Sequence, residues 1–283
     1  MSEGSPRFGV VVSTVGRPVG VDKLLRSLSI QDLEPSEVVV VDQSREDEVV
    51  AVVDAWRDRL PVRRVTSGPG LSVGRNVGFR MLGEVDYVTF PDDDCWYEPD
   101  VLARAAVALS ENPGNGVTGT LESGLGHRLR FGSQKVVLDR VSVWTNAIEA
   151  TMFLRKADLD ALGGFDEQLG IGAQSPWQSG EGTDLLLRLL RADGIVTFVP
   201  DLVIHEDGSP LEVRERRMKA RRYARGTGRV IRRHYGLWFR VRSLMRPILA
   251  GFASVATFQV SDAATRLATL IGRFEGLIGR TLP

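Results

Sequence analysis

One cysteine in 283 residues, Cys95, leaves no partner for an intramolecular disulfide and no cluster for a zinc-type site. A reducing, cytoplasmic compartment is the expectation. Long apolar runs are missing as well. No stretch approaches the roughly 20 apolar residues that span a bilayer, and the longest candidate, 247–258, is too short. Met1 to Gly9 lacks the basic-then-apolar order of a signal peptide. No internal repeat, low-complexity linker or nucleic-acid module is visible, so no nucleic-acid partner is expected. Net charge is zero, 36 Lys+Arg against 36 Asp+Glu, but the charge is unevenly placed. Residues 211–283 hold 16 Lys+Arg against 4 Asp+Glu, which leaves 20 against 32 for residues 1–210. A balance of −12 followed by +12 marks a basic appendage with an anionic partner.

What is present is an ordinary globular composition, 43% hydrophobic and 25% charged, with ample material for a core. Apolar runs of strand length at 8–13, 38–41, 62–66 and 85–90 alternate with helical spacing at 21–28, 47–59 and 71–82. That alternation predicts a largely parallel sheet with right-handed crossovers. Beyond Asp100 a helix is expected to Leu109, weak strands at best over 112–146, a strand at 150–154 and a helix at 157–162. A strong helix follows over 180–193, then two short strands at 195–199 and 202–204. From Pro210 the chain reads as basic helix, interrupted at Gly226 and Gly228. An apolar stripe then runs through Leu244, Ile248, Phe252, Val255, Ala263, Leu267, Ile271, Phe274 and Ile278, flanked by Arg242, Arg246, Arg266, Arg273 and Arg280. Such a face suits a membrane interface, docking on the protein's own body, or a homodimer.

The densest chemical signal is Phe90-Pro91-Asp92-Asp93-Asp94, where a β-prone run ends in three carboxylates. Acids past the carboxyl end of a strand stand where open α/β sheets bind ligands. Three together repel unless a cation or donors neutralise them, and hard oxygen ligands suit Mg²⁺ or Mn²⁺ carrying a polyphosphate. A solvated acidic turn is the plainer alternative. Other segments add polar groups: Asp42 after the second strand, Arg75 and Asn76 in a helix start, Glu181 and Asp184 in another, and His205 ending a strand. Each has a bland alternative: an Asx turn for Asp42, surface polarity for Arg75, Asn76 and His205, and helix-dipole complementation for the two acids.

Taken together, the order and spacing of 10–18, 38–44, 70–78, 92–94, 163–167, 180–188 and 200–207 resemble glycosyltransferase family 2, over about residues 8–207. The resemblance implies a GT-A fold: a Rossmann-like, mostly parallel central sheet flanked by helices, followed here by a basic amphipathic helical extension. It implies a catalytic domain over 1–209, with a nucleotide-sugar half at 8–100 and an acceptor half at 101–209, and the extension over 210–283. Ser13, Thr14 and Arg17 would then begin the nucleotide pocket, although Gly16 replaces the usual Asn. Asp42 would meet the base or ribose, Arg75 and Asn76 the donor, Asp92 the ribose or a metal-bound water, and Asp93 the sugar. Asp94 would bind Mn²⁺ or Mg²⁺, with Asp92 and His205 completing the metal set. Glu181, or Asp184 second, would be the base, since Gly182 stands where the family usually has Asp. The implied reaction is inverting transfer from a nucleoside diphosphate sugar, a UDP-sugar first, to a glycan or lipid-linked acceptor. An inactive scaffold and a sugar-phosphate nucleotidyltransferase are the alternatives. The expected location is cytoplasmic, against the inner face of the membrane.

Overall fold

Runs of β-branched residues form the first half of a nine-stranded sheet. The computed structural model describes residues 4–45, 47–124, 131–208, 213–256 and 260–282. In chain order the elements are β1 (Phe8–Thr14), α1 (Pro18–Leu28), β2 (Glu37–Asp42), α2 (Val50–Trp56), β3 (Val62–Thr66), α3 (Leu71–Met81) and β4 (Tyr87–Thr89). β5 (Cys95–Trp96), α4 (Val101–Glu111), β6 (Gly116–Ser123), β7 (Val136–Val137), β8 (Met152–Arg155), α5 (Lys156–Leu162), α6 (Glu181–Arg191) and β9 (Val196–Glu206) follow. The chain closes with α7 (Val213–His234), α8 (Leu237–Ala256) and α9 (Val260–Ile278). Among the described residues no helix is long and apolar enough to cross a membrane.

Packing divides the chain into two compact units. The first comprises Met1–Pro69, Val73–Phe165 and Leu185–Gly208 and contains the sheet. The second comprises Gly70–Ser72, Asp166–Asp184 and Ser209–Pro283. Composition changes at residue 210, whereas packing groups the stretch 166–184 with the C-terminal helices.

Within the first unit the strand order is β3-β2-β1-β4-β8-β6-β9-β5, with β7 beside β9. The β3-β2-β1-β4 half is parallel throughout. β8 then enters antiparallel to both β4 and β6. Every residue of β1 is buried, and Val21, Leu24, Leu25 and Leu28 of α1 cover it with Val38, Val40 and Val53. The chain moves from β1 outward through β2 and β3, then returns to place β4 on the other side of β1. The carboxyl ends of β1 and β4 therefore flank a topological switch point, the position where such sheets open a ligand crevice.

Three elements differ from the expectations. β6 is a full eight-residue strand, buried over its first six residues, in a segment read as weakly structured. Gly116 and Gly119 supply little β propensity, but a methyl at either would collide with the backbone of β8 or β9. The two short strands expected at 195–204 are one strand, β9, and Pro200 lies where the β6–β9 register shifts between Thr118 and Thr120. In the second unit α7 runs unbroken through Gly226 and Gly228. These glycines are contact points: side chains there would meet the carbonyl oxygens of Ser179 and Arg273. The expected stripe is partly covered at Leu244, Ile248 and Ile271 and exposed at Leu267 and Phe274, and the side chains of Phe252 and Val255 lie outside the described residues.

The close α7–α9 approach brings Glu275, fully buried, against two arginines. Arg221 Nη2 donates to Oε1 and Arg225 Nε to Oε2, each at 2.6 Å, and the Leu282 amide donates at 2.8 Å. Burial alone would raise this carboxyl, but the arginine hydrogen bonds outweigh it and hold the pKa at about 2. The lowered value stabilises the fold fully above the ordinary carboxylate range, and that contribution disappears as pH falls toward 2. Glu275→Ala should lower unfolding free energy by about 2 kcal/mol or more in urea titrations at neutral pH, because it strands two arginines. The deficit relative to the unsubstituted protein should shrink below pH 4.5.

Candidate active site

The loops after β1 and β4 are tied together at the switch point. Thr14 Oγ1 donates to Asp93 Oδ2 at 2.6 Å, and Arg17 Nη1 donates to Asp93 Oδ1 at 2.9 Å and lies 3.4 Å from Asp94 Oδ2. The first turn of α1 approaches from the same side. Gly20 packs on the Asp93 carbonyl oxygen so closely that a β-carbon there would overlap it. The Cys95 amide donates to Asp92 O, closing the acidic turn, and the Cys95 thiol is buried beneath it.

Each acid has a distinct setting. Asp92 accepts from Arg75 Nη2 at 2.8 Å. Arg75 is only 2% exposed and its guanidinium also lies over the Phe165 ring, 5.5 Å from the centroid. Asp93 is buried, and desolvation lifts its carboxyl above the usual range despite Thr14 and Arg17. Burial, followed by repulsion from Asp92 and Asp93, lifts Asp94 as well. Asp94 is the most exposed partner of Arg17 and the least tied down.

The other sequence candidates fall into place around these. Burial would raise Asp42, but Ser44 donates to Oδ1 from both its amide and hydroxyl, and Arg64 Nε donates to Oδ2 at 2.8 Å, so the carboxyl sits below its ordinary value. The Asx turn and an ion pair thus coexist at this residue. Ser13 Oγ is buried without a hydrogen-bond partner among the described residues. Asn76, read as a donor contact, instead clamps the Phe165 backbone: Nδ2 donates to its carbonyl at 2.9 Å, and Oδ1 accepts its amide at 2.8 Å. Arg75 is likewise a buried support for Asp92.

His205 contacts an aromatic ring and two glutamates. Its ring stacks on Trp96 with centroids 4.1 Å apart, and its nitrogens lie 3.7 Å from Glu98 and 4.0 Å from Glu122. Lys23 stands 5.1 Å from the Trp96 ring and pairs with Asp207 at 2.5 Å. Antiparallel pairing of β5 with β9 puts Trp96 directly opposite His205, which explains the stack. Among the described residues no three His, Cys, Asp or Glu side chains are gathered to hold a metal ion.

In the second unit, Gly180 with φ +90° turns the chain into α6, whose first turn carries Glu181 and Asp184. Glu181 is buried, and its carboxyl group lies beside Gly170. Asp184 is fully buried and its Oδ1 is shared by His234 Nε2 at 2.8 Å and Arg233 Nη1 at 3.0 Å. Arg233 Nη1 also reaches Asp166 Oδ2 at 2.6 Å. The Asp184 carboxylate is thus sequestered and held by two donors. Sequence reasoning missed Arg233, His234 and Arg64. The first two read as the end of a basic run, and only the motif Asp166 hinted at a charged partner.

A model described as Glycosyl transferase family 2 matches residues 9–160, more than half of the chain, and one described as Glycosyl transferase family group 2 matches 126–272. Over 111 residues the chain is 31% identical to the poly(ribitol-phosphate) beta-N-acetylglucosaminyltransferase TarS of Staphylococcus aureus, covering 38% of this chain and 19% of TarS. Over 106 residues it is 30% identical to an uncharacterized glycosyltransferase of Haemophilus influenzae, covering 38% of this chain and 35% of that one. The aligned part is thus about a fifth to a third of these relatives. In structure the chain is similar to S. aureus TarS 1-349 in complex with UDP-GlcNAc, with TM-score 0.61, 16% identity, and coverage of 97% and 92%. It is also similar to the mannosyltransferase PcManGT of Pyrobaculum calidifontis in complex with GDP-Man and Mn²⁺, with TM-score 0.67, 17% identity, and coverage of 97% and 88%. The fold is the GT-A fold.

The raised carboxyls carry a stability consequence. Folding favours their protonated forms, a contribution complete below the ordinary carboxylate range and lost as pH rises through the elevated values. At neutral pH the ionised carboxylates therefore carry a desolvation cost, to which repulsion among the acids adds. Asp94→Asn should raise its melting temperature by about 2–4 °C at pH 7, allowing for solvent screening, with little effect near pH 4. Differential scanning calorimetry at the two pH values tests this.

Proposed function

This chain belongs to glycosyl transferase family 2, and on that premise we propose that it is a metal-dependent inverting transferase. It moves a sugar from a nucleoside diphosphate sugar to an acceptor hydroxyl. The observation that carries the reading is the acidic turn at the β1/β4 switch point, in which Asp92 and Asp93 are braced by Arg75, Thr14 and Arg17 while Asp94 stays accessible.

These residues fit a divalent cation. Mg²⁺ and Mn²⁺ need only one or two carboxylates when phosphates and waters complete the shell, so a three-residue cluster is not required. Asp94 and Asp92 would hold the ion, and a cation would offset both the burial and the repulsion from Asp92 and Asp93 that lift the Asp94 carboxyl. When bound, it would neutralise charge developing on the departing diphosphate. Asp42, held by Ser44 and Arg64, would shape the base or ribose side of the pocket, and Arg17 lies beside Asp93, the proposed sugar contact. Glu181 takes the proton of the acceptor hydroxyl. The freed oxygen pair attacks the anomeric carbon from the face opposite the diphosphate, and the bond to the diphosphate oxygen breaks in the same displacement. Asp184, clamped by Arg233 and His234, keeps the first turn of α6 in place and is a positioning residue.

The sequence likeness to TarS supports a UDP-sugar donor, and the acceptor is a glycan or lipid-linked chain in envelope or exopolysaccharide synthesis. The reaction is placed at the inner face of the membrane, with 210–283 against anionic lipid. The test is thermal stabilisation by UDP, GDP, dTDP and CDP, each with Mn²⁺, Mg²⁺ or EDTA. A nucleotide at 100 times its Kd should add about 2.7 kcal/mol. The expected result is a metal-dependent shift for one nucleotide that Asp94→Ala abolishes. Glu181→Gln should keep that shift and lower kcat by about 10² to 10⁴. No shift with any nucleotide would leave a non-catalytic scaffold as the better reading.

A further inference from the structure

α8 has two faces of different character. On one side Phe239 stacks on Tyr235 with centroids 4.0 Å apart, Ser243 is buried, and the Ser243 carbonyl accepts Arg273 Nη1 of α9 at 2.7 Å. That side is docked within its own unit. On the other side Leu237 is 75% exposed, Trp238 80%, Val241 46% and Met245 45%. At about 100° per residue these four span an arc of about 100°. They form one apolar face with no partner among the described residues, and Leu244 and Ile248 of the expected stripe fall on or beside the same arc.

The surroundings identify what covers this face. α8 carries Arg240, Arg242 and Arg246 and no acid, and residues 213–256 hold 13 Lys+Arg against Glu215 alone. Arg240 is turned back to the carbonyls of Tyr235 and Arg232, while Arg242 is exposed at the border of the apolar arc. A second copy on this face would bring two arginine-flanked surfaces together, and like charges oppose that pairing. A surface that is apolar beneath and anionic at its rim matches both features. Tryptophan, with an apolar ring and one N–H, is suited to that boundary.

We propose that the Leu237, Trp238, Val241 and Met245 face of α8 is an interfacial docking surface for anionic phospholipid, with Arg242 meeting headgroups. The helix lies in the interface and does not cross it. This rests on the reading of the C-terminal extension as membrane-facing, and it places the contact at the start of α8. A lipid-borne acceptor would then be presented to an enzyme already held at the surface.

The test is co-sedimentation of the full chain with vesicles of phosphatidylglycerol and phosphatidylcholine, or of phosphatidylcholine alone, at low and high salt. The expected result is salt-sensitive binding to the anionic vesicles. Leu237→Ser/Trp238→Ser should weaken it about tenfold or more, and Arg242→Glu less so. Melting temperature and the nucleotide-dependent shift should persist in both variants, which separates this proposal from the transferase reading. Brominated phosphatidylglycerol should quench the protein's fluorescence, and Trp238→Phe should lose that quenching while still binding. Wild-type binding that the double substitution leaves unchanged overturns the assignment to α8 but not the membrane-facing extension. Failure of the wild type to bind overturns both. An oligomer that the double substitution dissociates, without vesicle binding, makes a second copy the occupant and overturns the proposal.

Discussion

Holding three consecutive carboxylates in one turn is the constraint around which the first unit is organised. At the few ångströms that separate neighbouring side chains, such charges oppose one another by amounts comparable to the stability of a domain unless they are compensated. The compensation is graded. Arg75, buried under Phe165, is committed to Asp92, and Thr14 and Arg17 reach from the neighbouring strand end to Asp93. Asp94 receives only the far edge of Arg17. Positive charge is thus shared unevenly: Asp92 and Asp93 each have a close arginine, and Asp94 has only the longer contact to Arg17.

The same logic recurs in the second unit with a different outcome. Glu275 is saturated by Arg221, Arg225 and a backbone amide, and Asp184 by Arg233 and His234. Both carboxylates are sealed from solvent and serve to pin helices. Contrast with the acidic turn separates carboxylates that hold structure from those left able to bind.

Much of the fold was legible because its strands are strongly patterned. The buried valines of β1 and β2, the stripe of α1 and the acids after β4 all follow from periodicity and strand-end chemistry. β6 was not, since its glycines are chosen for what β8 and β9 place against them, and a single chain does not announce its neighbours. Gly226 and Gly228 misled for the same reason: a helix breaker in isolation is a helix contact once Ser179 and Arg273 are beside it. At the site the sequence did not disclose the contacts within the fold: Arg75, read for a phosphate, supports Asp92, and Asn76, read for the donor, holds Phe165. Polar groups this deeply buried are chosen by tertiary neighbours tens of residues away. His205 shows the converse, its place at a strand end foreseen and its stack on Trp96 invisible.

The Asp184 clamp also bears on the order in which the chain can take shape. Arg233 and His234 follow Asp184 by 49 and 50 residues. During synthesis every strand of the sheet, complete by Glu206, leaves the ribosome before either partner does. Until α7 has nearly finished emerging, Asp184 lacks both of these partners, and burying its carboxylate without them is costly. A nascent chain would therefore carry a formed sheet before the first turn of α6 is locked, and the C-terminal helices complete a turn that precedes them in the chain.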